Sequence, residues 1–276
     1  MNNKILFLDI DGTIRNFDGT IPASALKALK QAKAAGHQLV ISTSRSLSEI
    51  EKRILDIGFD GIISGSGTYV LYKDQPVFYS YFPEETGYSL VHDLVSKGAV
   101  IELVTYRQCY MLKKQTKGFY GFLVHSAEKA AGVSDAHIIP RPQAIDSVQE
   151  VKNLEKLVYI GPQISKTILK KKYAGKIIVT DLSVHGGKYL GGEITPYGAD
   201  KGNALRKICQ CAGISREDAY AFGDSENDIA MFKAAGTGIA MGNGSSSSKK
   251  AADMIAPDIK EDGLYRAFVS SGLIQH

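Results

Sequence analysis

The chain has 276 residues, of which 44% are hydrophobic and 22% charged, a globular composition that excludes a fully disordered protein. The formal net charge is only +4, and no Lys/Arg cluster is interleaved with aromatic residues, which argues against a nucleic-acid-binding protein. No stretch approaches the roughly 20 apolar residues of a membrane span, the N-terminus lacks the features of a signal peptide, and three cysteines fit neither a disulfide framework nor a zinc site. We therefore expect a cytoplasmic protein.

The N-terminal part of the chain predicts alternating strands and helices. Short apolar runs without alternation are typical of strands buried on both faces, and the segments between them have helical periodicity. The strands are predicted at residues 5–8, 38–41 and 61–63, and the helices at residues 22–35 and 46–57, where Ser46 and Glu49 fit a capping box. This alternation predicts a parallel sheet with right-handed crossovers.

The pattern changes after a hairpin predicted at residues 69–81. Paired strands mixed with helices then continue to about residue 188, which indicates an α+β unit of its own. Its helices are predicted at residues 84–96, 122–131 and 165–173, and its strands at residues 100–105, 109–113, 157–160, 176–180 and 184–190. After Gly191 the strand–helix alternation resumes. We therefore predict an α/β fold: a Rossmann-like parallel-sheet core of residues 1–82 and 189–276, with an inserted α+β cap domain of residues 83–188.

Two carboxylates follow the first predicted strand. Asp9 and Asp11 lie one residue apart at its carboxyl end, the edge of an open parallel sheet at which ligands bind. Two like charges about 4 Å apart repel by about 4 kcal/mol even at an effective dielectric constant of 20. A divalent cation, a shared proton or a nearby lysine must offset that repulsion.

Further polar residues follow other strands of the same predicted sheet. Each has an ordinary structural reading when taken alone, as a strand-end hydroxyl, a surface lysine or a helix N-terminus. They are Thr43, Ser44 and Arg45 after the second strand, Asp224, Asn227 and Asp228 after the strand at residues 219–222, and Lys201 at the start of the helix at residues 201–212. Their convergence at one edge of one sheet favours a catalytic site.

The order of these motifs resembles the haloacid dehalogenase-like phosphohydrolases, in particular the Cof-type branch with a large α+β cap inserted after the third strand. Residues 7–13, Phe-Leu-Asp-Ile-Asp-Gly-Thr, match the first motif of that family. Residues 41–45, Ile-Ser-Thr-Ser-Arg, resemble the second motif, residues 200–202, Asp-Lys-Gly, the third, and residues 223–228, Gly-Asp-Ser-Glu-Asn-Asp, the fourth. Two positions depart from the family pattern: Ser44 replaces a glycine, and Gly65-Ser66-Gly67 stands where Asn-Gly is common.

The resemblance implies a magnesium-dependent phosphatase. Asp9 would be the nucleophile that forms an aspartyl-phosphate, and Asp11 would protonate the leaving oxygen and then activate water. Mg²⁺ would be held by Asp9, by the backbone carbonyl of Asp11 and by Asp224, with Asp228 orienting these ligands. The residues that would contact the phosphoryl group are Thr43, Ser44, Arg45, Lys201 and Asn227, with Lys201 also counted among the catalytic residues.

Three alternatives remain open at this point. The same intermediate would serve a phosphomutase or phosphotransferase, a protein of this kind could bind a phosphorylated metabolite without catalysis, or a receiver module could store phosphate on Asp9. The substrate class implied by the family is a small phosphorylated metabolite, of the sugar phosphate, flavin mononucleotide or pyridoxal phosphate type. Side chains of the inserted domain would select among such compounds.

Overall fold

The computed structural model describes residues 3–116, 142–161, 165–181 and 191–275. The chain divides into two compact units: Met1–Arg45, Ile50–Tyr79 and Asp200–His276 form the first, and Ser46–Glu49 and Ser80–Ala199 form the second. The domain boundaries predicted after residues 82 and 188 stay predictions. Among the described residues, no helix combines the length and hydrophobicity needed to cross a bilayer.

The secondary structure of the described residues comprises the following elements. The strands are β1 (Ile5–Leu8), β2 (Gln38–Ser42), β3 (Gly61–Ser64), β4 (Tyr69–Tyr72), β5 (Gln75–Tyr79), β6 (Val100–Val104), β7 (Cys109–Leu112), β8 (Gln143–Ile145), β9 (Lys156–Ile160), β10 (Ile177–Asp181), β11 (Gly191–Pro196), β12 (Ala219–Gly223), β13 (Thr237–Ala240) and β14 (Met254–Ile255). The α-helices are α1 (Ala23–Ala34), α2 (Lys52–Leu55), α3 (Glu84–Ser96), α4 (Lys166–Lys172), α5 (Lys201–Ala212), α6 (Ile229–Ala234), α7 (Ser246–Ala251) and α8 (Gly263–Ser270).

The first unit is built on one sheet, which the described residues form in the order β14-β13-β12-β1-β2-β3-β4-β5. The strands from β14 to β3 pair in parallel, and the β4–β5 hairpin adds two antiparallel strands at one edge. The predicted Rossmann-like parallel sheet is confirmed. The sheet is assembled from segments that precede and follow the second unit in the sequence, as an insertion requires.

The central strand β1 is apolar throughout because both of its faces are covered. Leu6 and Leu8 belong to one apolar cluster with residues of α1 and α8, and Ile5 and Phe7 belong to another with residues of α5 and α6. Successive side chains of a strand point to opposite faces, so the uninterrupted apolar run fills both layers. This packing fixes the strand whose carboxyl end carries Asp9.

The second unit is an α+β structure with its own core. Its described strands form a sheet in the order β10-β11-β9-β6-β7-β8, antiparallel except between β7 and β8. Leu90 and Leu94 of α3 and Leu169 of α4 share one apolar cluster with Ile101 and Leu103 of β6. The strand β11 pairs with β9 and β10 inside this sheet, so the second unit extends to Ala199.

One predicted helix is wrong in extent. Residues 46–57 form a 3₁₀ turn at Leu47–Glu49 and a separate short helix α2, because Glu51 has an extended backbone (φ −62°, ψ 137°) that interrupts the helical hydrogen bonds. The Glu49 carboxylate accepts a hydrogen bond from the Ser46 N–H at 2.7 Å, which is one of the two hydrogen bonds of the predicted capping box. The helix predicted at residues 122–131 and the strand predicted at residues 184–190 lie outside the described residues.

Candidate active site

Three adjacent parallel strands bring polar residues to one edge of the sheet. β1 pairs with β12 on one side and with β2 on the other. Asp9, Asp224 and Thr43 are each the first residue after one of these strands, and all three are buried. Because the carboxyl ends of parallel strands lie at the same edge, residues far apart in the sequence meet here.

A buried lysine connects two of the carboxylates. Lys201 is the first residue of α5, and its side chain is 0% exposed. Its Nζ donates to Oδ1 of Asp9 at 2.7 Å and to Oδ1 of Asp228 at 2.6 Å. Asp200 caps α5 by accepting the N–H of Asn203 at 2.7 Å, which fixes the start of the helix at Lys201.

Two glycines allow the acidic residues to approach the backbone. A Cβ atom added to Gly223 would lie 2.3 Å from Cγ of Asp228. A Cβ atom added to Gly12 would lie 2.3 Å from Oδ2 of Asp224, and Gly12 also has a positive φ of +82°, which favours glycine. Both positions therefore exclude any larger residue without displacing a carboxylate of the site.

Asp228 holds the loop that carries Asp224. Its side chain is fully buried, and its Oδ2 accepts the backbone N–H groups of Asp224 and Ser225, each at 3.0 Å. Since Oδ1 accepts the hydrogen bond from Lys201, both oxygens of Asp228 are engaged. This position suits the orienting role that the family resemblance implies for Asp228.

The carboxylates of Asp9 and Asp224, which form a cluster with Asp228, have perturbed proton affinities. Burial raises the pKa of Asp9 to about 7, against the opposing effect of Lys201. Burial and the charge of Asp9 raise the pKa of Asp224 to about 9. Burial would lower the pKa of Lys201, but its contacts with Asp228 and Asp9 raise it above its usual value. Full ionisation of these carboxylates would therefore create more negative charge than one ammonium balances.

The donor set fits a divalent cation. Asp9, Asp224 and Asp228 each offer one carboxylate oxygen, and these atoms lie within 4.8 Å of one another. Three carboxylates and one ammonium carry a net charge of −2 when all are ionised, which a divalent cation would neutralise. Carboxylate oxygens are the ligands that hard cations such as Mg²⁺ prefer.

The side chain of Asp11 is not among these three carboxylates and contacts two arginines. Arg45 binds its carboxylate in a bidentate manner, with Nε at 2.7 Å from Oδ2 and Nη2 at 2.9 Å from Oδ1. Nη1 of Arg15 donates to Oδ1. Burial alone would raise the pKa of Asp11, but Arg45 and Arg15 hold that pKa below its usual value.

The other predicted phosphate contacts lie at the same edge of the sheet or next to it. Oγ1 of Thr43 accepts the backbone N–H of Arg45 at 3.2 Å, and Ser44 between them is partly buried. Oδ1 of Asn227 accepts a hydrogen bond from Oγ of Ser225 at 2.8 Å. The phosphate-binding roles of these residues, and of Lys201, stay predictions.

Sequence reasoning missed three residues that support the site. Arg15 and Glu51 form an ion pair next to Asp11, and Nδ2 of Asn243 donates to the carbonyl of Gly12 at 2.8 Å. The position of Arg15, two residues after the first motif and beside the apolar Ile14, could have identified it as a residue near the site. Glu51, between Ile50 and Lys52, and Asn243, between Gly242 and Gly244, belong to none of the four motifs and carry no comparable signal.

Comparison with known proteins decides the family. A profile of the haloacid dehalogenase-like hydrolases matches residues 6–268. The chain belongs to this family. The family and the enzyme class that the motifs predicted are thereby confirmed, and the matched residues include every motif quoted from the sequence.

Relatives of this haloacid dehalogenase-like hydrolase match it over nearly its whole length. The putative phosphatase YkrA of Bacillus subtilis is 27% identical over 284 residues and is covered fully, as is this chain. The pyridoxal phosphate phosphatase YbhA of Escherichia coli is 26% identical, with 99% of this chain and 100% of the relative covered. A solved sugar phosphatase of subclass IIB of the superfamily, BT4131, superposes with a TM-score of 0.78 at 27% identity, covering 99% of this chain and 100% of that one. The predicted Rossmann-like core with an inserted cap agrees with these relatives.

Proposed function

We propose that this hydrolase is a Mg²⁺-dependent phosphatase that hydrolyses small phosphate monoesters through an aspartyl-phosphate on Asp9. The proposal is carried by the contact of one buried lysine, Lys201, with Asp9 and Asp228 at the carboxyl edge of a parallel sheet. Asp224 completes the carboxylate cluster. This arrangement combines a nucleophile, a fixed positive charge and a site for a cation, the components that phosphoryl transfer requires.

Asp9 attacks the phosphorus atom, and the bond from phosphorus to the leaving oxygen breaks. Lys201, held at 2.7 Å from Asp9, provides positive charge next to the phosphoryl oxygens as charge develops on them. Thr43, at the end of β2, supplies a hydroxyl at the same edge. Asp9, Asp224 and the backbone carbonyl of Asp11 would hold Mg²⁺, which would supply the additional positive charge that the carboxylates and a phosphate dianion need.

Asp11 exchanges the proton in both half-reactions. It gives a proton to the leaving oxygen in the first step and takes one from the attacking water in the second. The ionised form that Arg45 and Arg15 favour is the form that takes the proton from water. A separate acid–base group also explains why Asp11 is not part of the Asp9–Asp224–Asp228 cluster.

The proposed substrate is a small phosphorylated metabolite, and neither a nucleic acid nor a membrane surface is needed. Relatives that cover 99% and 95% of the chain are named as phosphatases of pyridoxal phosphate and of a ribitylaminouracil phosphate, and a solved relative is named as a sugar phosphatase. These are phosphate esters of small polar compounds. We therefore place the substrate in this class.

Phosphate release from a panel of such metabolites, with Mg²⁺ and with EDTA, tests the proposal. We expect Mg²⁺-dependent release of inorganic phosphate and its loss in Asp9→Asn, with Asp56→Asn as the control because Asp56 is exposed and pairs only with Lys52 among the contacts described. Near-normal activity of Asp9→Asn, or turnover that persists in EDTA, would refute the proposal. Conversion of substrate without release of phosphate would instead indicate a mutase or transferase.

A further inference from the structure

Arg15 is a buried arginine next to the proposed acid–base residue. Its side chain is 2% exposed, and it lies in a tight bend in which its carbonyl accepts the N–H of Gly12 at 2.7 Å and its N–H donates to the carbonyl of Ile10 at 2.9 Å. Taking a guanidinium group out of water is costly unless carboxylates compensate it. Such a residue in a loop of the active site needs an explanation.

Two carboxylates hold the guanidinium group of Arg15. Nη1 donates to Oδ1 of Asp11, and Nε lies 3.1 Å from Oε1 of Glu51. Nε of Arg53 forms an ion pair with Oε2 of Glu51, and Nη2 of Arg53 donates to the carbonyl of Gly19 at 2.7 Å. The guanidinium group of Arg15 therefore contacts one carboxylate through Nη1 and another through Nε, and Oε1 of Glu51 also lies 3.9 Å from Nη1 of Arg45.

The hydrogen bonds to Asp11 are distributed unequally between its two oxygens. Oδ1 accepts from both Arg15 and Arg45, whereas Oδ2 accepts from Nε of Arg45 among the contacts described. An ionised carboxylate has about four acceptor sites, so these three hydrogen bonds leave one site on Oδ2. The arrangement singles out Oδ2 as the atom that exchanges a proton.

We propose that Arg15 is a positioning residue that holds Oδ1 of Asp11 and thereby presents Oδ2 to the leaving oxygen. The inference rests on the proposed function, in which Asp11 is the proton donor. Arg45 alone cannot fix the carboxylate in the same way because it contacts both oxygens from one side. Arg15, anchored on Glu51, adds a second point of attachment.

The choice of leaving group separates positioning from simple structural support. A p-nitrophenolate ion leaves at neutral pH without a proton, whereas the alkoxide of a sugar needs one. Proton transfer by a positioned group contributes about 10²–10⁴-fold. A misplaced Asp11 should therefore reduce turnover of a hexose 6-phosphate far more than that of p-nitrophenyl phosphate.

The experiment compares kcat/KM of Arg15→Met for these two substrates. This ratio reports the steps up to formation of the aspartyl-phosphate, so slow hydrolysis of the intermediate does not obscure it. We expect a loss of at least about 10-fold with the hexose 6-phosphate and of less than about 3-fold with p-nitrophenyl phosphate, since only the first requires the proton. Arg15→Lys, which retains the charge, should recover part of the loss.

Two further variants serve as controls. Arg266→Met replaces an exposed arginine of α8 and should leave kcat/KM for both substrates nearly unchanged. If Arg15→Met does not fold, Glu51→Gln removes the carboxylate charge next to both Arg15 and Arg45 and should give the same selective loss to a smaller extent. An equal loss with both substrates, or no loss with either, would overturn the inference.

Asp11→Asn distinguishes failure of this inference from failure of the proposed function. If Asp11→Asn reduces kcat/KM selectively for the hexose 6-phosphate and the Arg15 and Glu51 variants do not, the role of Arg15 is wrong and that of Asp11 stands. If Asp11→Asn itself shows no selectivity, the proposed acid–base role of Asp11 fails, and the inference about Arg15 fails with it.

Discussion

Replacing Lys201 with methionine tests the electrostatic account of the active site. The variant keeps an unbranched apolar side chain but removes the ammonium group that contacts Asp9 and Asp228. The side chains of Lys201 and Asp228 are 0% exposed, and that of Asp9 is 8% exposed, so water cannot replace the lost contacts. Two buried carboxylates are left without their cation.

The expected destabilisation is large. Removing one partner of a buried ion pair costs about 3–5 kcal/mol, a substantial part of the roughly 5–15 kcal/mol that stabilises a typical domain. The carboxylates can take up protons instead, so the loss should shrink as the pH falls. A cation that binds the same carboxylates offsets part of it, since a ligand at 100 times its Kd contributes about 2.7 kcal/mol.

Urea unfolding of Lys201→Met at pH 8, in EDTA and in Mg²⁺, measures these effects. We expect the free energy of unfolding to fall by about 3–5 kcal/mol in EDTA and to recover partly in Mg²⁺, with phosphatase activity lost in both. The control is Lys207→Met on the same helix, where Nζ lies over the ring of Phe78 at 4.3 Å and a loss of only about 0.5–1 kcal/mol is expected. Equal stability of the two variants in EDTA would refute the reasoning.

Three further predictions follow from the same structure. Asp224→Asn should weaken Mg²⁺ binding by at least about 10-fold in calorimetric titration, and an unchanged Kd would exclude Asp224 as a ligand. Gly223→Ala should cost roughly 1–3 kcal/mol in urea unfolding and also lower kcat, because the new Cβ would lie 2.3 Å from Cγ of Asp228; wild-type values of both would contradict the geometry. Burial and the charge of Glu49 raise the pKa of Glu102 from 4.5 to about 8. The folded protein therefore retains a proton that the unfolded chain releases above about pH 4.5, and stability falls as the pH rises to 8. Glu102→Gln should flatten that part of the stability curve, and an unaltered slope would contradict the assigned pKa.

The parallel sheet and its catalytic edge could be predicted from local signals. The uninterrupted apolar run of β1 indicates a strand buried on both faces, and its residues do pack into two separate apolar clusters. The placement of Asp9, Asp224 and Thr43 directly after parallel strands then follows from topology alone. The contacts of Lys201 with Asp9 and Asp228 could be predicted on one further condition, that the start of α5 lies beside this edge.

The contacts of Asp11 could not be predicted in the same way. The bidentate contact of Arg45 with Asp11 was not foreseen, and the phosphate-binding role predicted for Arg45 stays a prediction. The break before α2 was also missed, because the extended backbone of Glu51 accompanies a long-range ion pair with Arg15 as well as a local one with Arg53. Long-range partners of this kind leave no periodic pattern in a single sequence, and tertiary contacts override local helix propensity.

The proposed aspartyl-phosphate on Asp9 can be detected directly. Mass spectrometry of enzyme quenched in acid during turnover should find one phosphoryl group on the peptide that contains Asp9. With p-nitrophenyl phosphate, whose leaving group needs no proton, its amount should rise in Asp11→Asn because hydrolysis of the intermediate lacks its base, and it should be absent from Asp9→Asn. Active enzyme with no phosphoryl group on that peptide under conditions that trap Asp11→Asn, or with the group on another residue, would contradict the account.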